Sequence, residues 1–286
     1  MSRPVLRFAP SPNGRLHLGH AFSALTNARI ADDLGGRLLL RIEDIDLGRT
    51  RPEFVQGILD DLAWLGLSFD GPVRRQSEHF SQYARVRDAL AARKLLYPCF
   101  CSRGRIAAAV AERAAVARDP DGAPLYPGTC RALSGDEVQA RIEAGEPHTW
   151  RLDGAAALAA VTAPLVIRRF ALDGAEETVP ADPARWGDVV IARRDVPTSY
   201  HLAVVWDDAE QGISHVVRGQ DLEAATDLHV LLQHLLGLPS PAYRHHGLIR
   251  DETGDKLAKS KGSESLADLR ARGVGPDAVR AMLGLA

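Results

Sequence analysis

The chain predicts an α/β fold built on a parallel sheet, with an insert in its middle and a short helical segment at its end. Three observations carry this. The apolar run Val5-Leu6-Arg7-Phe8 is followed by the interruption Pro10-Ser11-Pro12-Asn13-Gly14 and then by a helix-compatible run from about Ala21 to Asp33, a strand, loop, helix order. Arg37 to Ile42 has the continuous apolar character of a parallel strand buried on both faces, and it ends at Glu43-Asp44. Between Cys99 and about Val190 the regular pattern loosens, and it returns afterwards.

Taken in order, Arg51 to Trp64 and Glu78 to Leu90 read as helices and complete the alternation of strand and helix in a first half-core, residues 1–98. The insert, 99–190, holds the alanine-rich run Ile106 to Ala117, a Pro-Gly-containing loop from Asp119 to Gly128, a strand-like piece at Thr149 to Leu152, and hairpin-compatible runs separated by Asp173-Gly174. In the second half-core, 191–243, His201 to Trp206 and Ile213 to Val217 are expected as strands, and Leu222 to Leu236 as a strongly apolar helix. Residues 244–286 predict loops and two short helices. There Ser265-Leu266-Ala267-Asp268 has the spacing of a capping box, with Asp in place of the longer Glu.

Composition narrows the function. At 286 residues, with 45% hydrophobic and 25% charged residues, the chain suits one principal core with a smaller insert. The formal net charge of −2 excludes a polycation that coats nucleic acid indiscriminately. Charge is nonetheless uneven: Arg85 to Arg118 carries eight basic and two acidic residues, and Asp119 to Glu177 five basic and ten acidic. These are either solvated helical surfaces or, if they cluster in space, a positive face for phosphates. No signal segment precedes Val5, and the uncharged stretch Gly154 to Ile167, broken by Pro164, is too short to cross a bilayer. A cytoplasmic chain with no membrane partner, acting as a monomer, is expected. Three cysteines make no disulfide framework and point instead to metal in a reducing compartment.

Two motifs carry chemistry. His17-Leu18-Gly19-His20 places two imidazoles three residues apart where a helix starts. Gly14 and Gly19 allow close backbone approach, and the helix N-terminus offers amides and a positive dipole to a phosphate, so His17, Gly19 and His20 are candidate ATP contacts. Far along the chain, Lys256-Leu257-Ala258-Lys259-Ser260 presents two ammonium groups, Lys256 and Lys259, that suit one polyphosphate.

Together these motifs resemble the paired signatures of class I aminoacyl-tRNA synthetases. More narrowly, the run from Arg7 to His20 and the run Arg41-Ile42-Glu43-Asp44-Ile45-Asp46 resemble the glutamyl-tRNA synthetase catalytic domain. The resemblance covers nearly the whole chain. It implies a Rossmann-like class I catalytic core in which His17, His20, Lys256 and Lys259 serve catalysis. It also implies a glutamate site made by Arg7, Phe8, Ala9, Pro10 and Ser11 with Glu43, Tyr200 and Arg218. Two arginines and one glutamate suit a substrate with two carboxylates and one ammonium. Because the chain ends about 26 residues beyond Ser260, without the family's helical anticodon-binding region, it is similar to the short paralogues. Those use ATP and Mg2+ to activate L-glutamate and transfer it to the cyclopentenediol of queuosine in tRNA(Asp). The alternatives are a truncated enzyme that charges a tRNA 3' end, a small-molecule adenylating ligase, and a non-catalytic tRNA-binding protein. Leu257 and Ala258 depart from the commoner Lys-Met-Ser-Lys-Ser form, yet both lysines remain.

Cys99-x-Cys101 with Cys130 leaves a tetrahedral zinc site one ligand short. From the residues alone, Tyr126, Asp121, Asp119 and His148 are the fourth-ligand candidates. The resemblance selects Tyr126, because Tyr126-x3-Cys130 follows the family's spacing and implies one structural Zn2+ per chain. Asp44 and Asp46 are expected to support Arg15 or the sheet edge rather than to hold metal.

Overall fold

The computed structural model describes residues 3–113, 115–249 and 264–285. Strand β1 (Val5–Phe8) leads through the Pro-Ser-Pro loop to helix α1 (Leu18–Asp33), β2 (Arg37–Ile42), α2 (Pro52–Trp64), β3 (Arg74–Arg75) and α3 (Phe80–Ala92). There follow β4 (Leu96–Cys99), α4 (Arg103–Ala111), α5 (Gly135–Glu143), β5 (Thr149–Leu152), α6 (Gly154–Ala159), β6 (Val166–Phe170), β7 (Glu176–Pro180) and β8 (Val190–Ala192). The chain continues through α7 (Tyr200–Glu210), β9 (His215–Gly219), α8 (Ala225–Leu236), β10 (Ala242–His246), α9 (Leu266–Ala271) and α10 (Pro276–Met282).

The expected α/β core is present. β1, β2 and β3 form a parallel sheet in that order, with Val5 opposite Arg37 and Arg41 opposite Arg74. A second sheet runs β7-β6-β10-β9, its β6, β10 and β9 parallel and β7 antiparallel to β6. Ser214 ties the two sheets: its N–H donates to Val5 O at 3.0 Å and its Oγ accepts from Val5 N–H at 2.8 Å. The chain steps outward from β1 to β2 and β3 on one side and from β9 to β10 on the other. The β1/β9 junction is therefore the place where strand order reverses, and parallel α/β sheets open a ligand crevice there. The third sheet, β4-β5-β8, is antiparallel and carries the cysteine segment at its edge.

Two clusters of side chains hold this frame. One joins Leu90, Leu95, Leu152, Ile191, Leu202, Leu228 and Leu231. The other joins Leu16, Ala21, Ile42, Ile58 and Leu62 to Leu266, Leu269, Val279 and Leu283 of the terminal helices. Leu266 and Val279 are fully buried, each worth roughly 1.5–3 kcal/mol of apolar burial, so α9 and α10 are docked against α1 and α2. The capping box is formed: Asp268 N–H donates to Ser265 Oγ at 3.2 Å and Ser265 N–H donates to Asp268 Oδ2 at 3.2 Å. The hairpin at Asp173-Gly174 also forms, with Gly174 at φ +83°, which a side chain would strain.

The segment His201 to Trp206, expected as a strand, lies inside α7. Its short apolar run is compatible with either period. Helix wins because the pattern continues into Asp207 and Asp208, both buried and satisfied by arginines from β1, β2 and β3 that sequence order does not reveal. The alanine-rich run gives the shorter α4, started by Ser102 Oγ accepting from Arg105 N–H. α1 starts at Leu18, three residues before the expected Ala21, because His17 caps it.

Candidate active site and metal centre

At the β1/β9 junction a cavity of about 830 Å³ is lined by Arg7, Phe8, Ala9, Pro10, Ser11, His17, Gly19, His20, Glu43, Tyr200 and Arg218. Every residue expected for glutamate is on this wall, together with the His-x-Gly-His segment. Lys256 and Lys259 lie outside the described residues.

Charge is arranged asymmetrically. Arg7 Nε donates to Asp208 Oδ1 at 3.1 Å, and Arg41 Nη2 donates to the same oxygen at 2.8 Å, while Arg41 Nε stands 3.4 Å from Glu43 Oε1. Burial works to raise Asp208, but Arg7 and Arg41 outweigh it and hold its carboxyl below the usual range. Burial dominates at Glu43 and pushes its carboxyl up, with Arg41 and Arg7 opposing. Asp208 and Arg41 were not anticipated as parts of the site. The adjacent carboxylates Asp207-Asp208 within an apolar run were the only signal.

Arg218, near the end of β9 and 5% exposed, meets no carboxylate within 4.0 Å among the described residues. Its Nη1 donates to His229 Nδ1 at 3.1 Å and Tyr200 Oη at 3.4 Å, its Nη2 to Thr226 Oγ1 at 2.7 Å, and its Nε to His245 Nε2 at 3.3 Å. These partners are uncharged. Burial, then Arg218, holds His201 down to about 4 and His245 down to about 3, and drives His229 well below its ordinary value. Neutral His229 accepts from Arg218 on Nδ1, so its proton is on Nε2 and is donated to His201 Nδ1 at 3.2 Å. Burial also pushes the Tyr200 phenol up, keeping it a donor. Arg218 is thus a desolvated cation braced by dipoles and left uncancelled.

The His17 and His20 rings stand with centroids 3.9 Å apart at the start of α1. His17 Nδ1 accepts from Gly19 N–H at 3.1 Å, and His20 Nδ1 accepts from His17 N–H at 3.2 Å, a reciprocal cap made by imidazoles. In each neutral ring the proton is then on Nε2. A Cβ on Gly19 would stand 3.0 Å from His17 Cε1, so a side chain there would press the His17 ring back from this fold-back. His17 also bridges to Ser265, and Leu266 N–H donates to Leu16 O at 2.8 Å. Ser265 and Leu266 therefore lie directly beside the histidine motif.

Asp44 accepts from Arg75, Ser77 N–H and Ser77 Oγ, and Asp46 pairs with Arg49 and Arg193. Of the two supports expected, Asp44 holds the sheet edge through Arg75 of β3, whereas Arg15 lies 3.9 Å from Asp268. A second cavity, about 1180 Å³, shares Ser11, Asn13, Glu43, Arg49 and Tyr200 with the first and extends to Cys101 and Tyr126. Of the basic run Arg85 to Arg118 only Arg103 lines it; Arg49, Arg151, Arg193 and Arg194 supply its other cations.

Cys99, Cys101 and Cys130 are buried with their sulfurs within 4.8 Å of one another, a group able to hold a metal ion. Tyr126 Oη stands 3.3 Å from Cys99 Sγ and 3.5 Å from Cys101 Sγ, and Cys101 Sγ stands 3.4 Å from Cys130 Sγ. A tetrahedron with metal–sulfur bonds of about 2.3 Å needs sulfurs about 3.8 Å apart, so a small outward shift admits the ion. His148 lies tilted against Phe100 and turns Nδ1 to Glu146 O, and Asp119 accepts from Ala123 N–H. Arg194 Nη2 donates to Phe100 O and Cys101 O, fixing the Cys-x-Cys loop. At Cys99 burial works to raise the thiol, and hydrogen bonds from Tyr126 and Arg151 outweigh it.

The sequence matches the family described as tRNA synthetases class I (E and Q), catalytic domain, over residues 5–286. It is 47% identical to a glutamyl-Q tRNA(Asp) synthetase of Rhodobacter capsulatus, covering 98% of this chain and 100% of that protein. It is 41% identical to a protein of the same name from Symbiobacterium thermophilum, covering 96% of this chain and 83% of the relative. A glutamate–tRNA ligase of Oleidesulfovibrio alaskensis is 36% identical, and there the chain spans 56% of the relative. The crystal structure of a glutamate tRNA ligase from Elizabethkingia meningosepticum, in complex with its amino acid, superposes with a TM-score of 0.74 at 29% identity, covering 91% of this chain and 53% of that one. Sequence, strand order and the histidine-bearing helix start agree: the chain belongs to the class I tRNA synthetases (E and Q), whose catalytic domain it carries.

Proposed function

We propose that the protein activates L-glutamate with ATP and transfers the glutamyl group to the cyclopentenediol of queuosine at the wobble position of tRNA(Asp). The observation that carries the first half is Arg218, a buried cation with no carboxylate partner among the described residues, facing the cavity that also holds the cap of α1. Counting the lining side chains Arg7, Arg49 and Arg218 against Glu43 and Asp221, the wall has one excess positive charge, complementary to glutamate's single net negative charge. Arg218 and Tyr200 take one carboxylate, Glu43 accepts from the ammonium group, and Arg7, already oriented by Asp208, turns its remaining donors to the substrate.

The free glutamate carboxylate oxygen then attacks the α-phosphorus of ATP, and the bond to the bridging oxygen breaks to release pyrophosphate. Gly19 lets the backbone approach the phosphates, the N-terminus of α1 attracts them, and the Nε2 protons of His17 and His20 stabilise charge as it shifts. Lys256 and Lys259 act on the same polyphosphate. Magnesium bound with ATP neutralises charge on the leaving pyrophosphate. In the second step a hydroxyl oxygen of the acceptor attacks the acyl carbon and AMP departs. The larger cavity, which meets the first at Ser11, Glu43 and Tyr200, offers the acceptor a path lined by Arg49, Arg193 and Arg194. Zinc held by Cys99, Cys101, Cys130 and Tyr126 supplies structural order to this wall and takes no part in the chemistry.

Relatives named glutamyl-Q tRNA(Asp) synthetase, one of them matched over its whole length, support tRNA(Asp) as the acceptor. The second reading, charging of a tRNA 3' end, is favoured by the likeness to glutamate–tRNA ligases. The test transfers labelled glutamate to tRNA(Asp) with and without queuosine, digests the product and locates the label. Label on the wobble nucleoside is expected; label on the 3' terminal fragment overturns the acceptor assignment, and no adenylate formation overturns the proposal entirely.

A further inference from the structure

We propose that Arg151 is the charge-compensating residue of the metal centre, holding its guanidinium against the Tyr126 ring to offset the excess negative charge of the three-sulfur, one-phenol donor set around a divalent cation. The inference rests on the metal-site reading above. Three thiolates around a divalent ion leave the site at net −1, and a deprotonated phenol takes it to −2. A buried centre of that charge needs a nearby cation.

Several observations single out Arg151. It lies on β5, whose Thr149 is paired with Cys99, and the sheet register shifts between Trp150 and Arg151. Its guanidinium carbon stands 4.0 Å from the centroid of the Tyr126 ring. Nη1 is fixed by donation to Asp188 O at 2.8 Å. The Asp188 carboxylate is engaged elsewhere, accepting from Tyr97 Oη at 2.6 Å, from Arg131 Nη1 and from Gly154 N–H. Arg151 therefore has no carboxylate partner among the described residues. Its Nε is buried without a hydrogen-bond acceptor, a donor costly to leave unmet unless an anionic centre lies beside it. Arg131 cannot replace it, since it is committed to Asp188 and Asp153. Arg194 reaches the loop carbonyls rather than the ligand side chains.

The test measures zinc affinity of the full chain by competition with a chromophoric chelator for wild type, Arg151→Lys, Arg151→Gln and Arg151→Met. Outer partners of metal ligands typically contribute 10- to 100-fold in affinity. Loss in that range is expected for Gln and Met, with Lys within about threefold of wild type. The cobalt-substituted protein adds a second readout: the thiolate-to-metal absorption band moves in Arg151→Gln and stays in Arg151→Lys. Equal affinity in all variants overturns the proposal, as does equal loss in Lys and Gln, which marks a packing role. Wild type purified without stoichiometric zinc overturns the metal-site reading itself, a result distinct from both.

Discussion

Replacing Arg218 by Met removes a cavity-facing cation that no described protein carboxylate cancels. Removing one partner of a desolvated, hydrogen-bonded charge pair costs about 2–5 kcal/mol, which lowers kcat/KM for glutamate roughly 30- to several thousand-fold. Arg218 is assigned to a carboxylate remote from the reacting phosphorus, so the loss should fall on KM more than on kcat. Arg218→Lys keeps the charge without the fork and should fall between wild type and Met. Folding should survive, because no described carboxylate within 4.0 Å is stranded. The assay is glutamate-dependent exchange of labelled pyrophosphate into ATP without tRNA, with urea unfolding as the control. Activity of the Met variant within threefold of wild type, on an intact fold, refutes the assignment; a fall in kcat at unchanged KM moves Arg218 to the reacting atoms.

Asp208→Asn leaves Arg7 and Arg41 buried without their shared carboxylate; a loss of about 3–5 kcal/mol is expected, or roughly 6–20 °C in Tm, read by calorimetry. Gly19→Ala puts a Cβ 3.0 Å from His17 Cε1 and displaces the imidazole cap, so pyrophosphate exchange should fall about ten- to a hundredfold while Tm holds; unchanged exchange removes His17 from the phosphate site. His201 is held down to about 4 against an ordinary 6.5, chiefly by burial and then by Arg218, so the unfolded chain takes up the proton first. Its contribution is full above the unfolded value and is lost as pH falls from about 6.5 toward 4. Urea midpoints at neutral and acid pH should diverge less in His201→Gln than in wild type, and equal divergence discards His201 as a source.

The opening strand, loop and helix, the strand over Arg37–Ile42, the cap at Ser265 and the hairpin at Asp173-Gly174 were legible in the sequence because each depends on neighbours within a few residues. Spacing alone placed His17 beside His20 and Cys99 beside Cys101. The choice among four candidate fourth ligands was different in kind: Tyr126 lies against two sulfurs because a loop folds back, while His148, equally suited by chemistry, lies tilted against Phe100. The helix over Tyr200–Glu210 was hidden for a related reason, since burial of Asp207 and Asp208 becomes tolerable only when β1, β2 and β3 deliver arginines to them. Likewise, a strand arginine at position 218 is unremarkable in sequence. Its meaning comes from what surrounds it after folding, two neutral imidazoles, a phenol and a threonine in place of a carboxylate. Local chemistry determines which elements form and which groups are available. Whether a charge is cancelled or kept for a ligand depends on partners far away in sequence, 201 residues in the case of Arg7 and Asp208, and only tertiary packing brings them within Coulomb range.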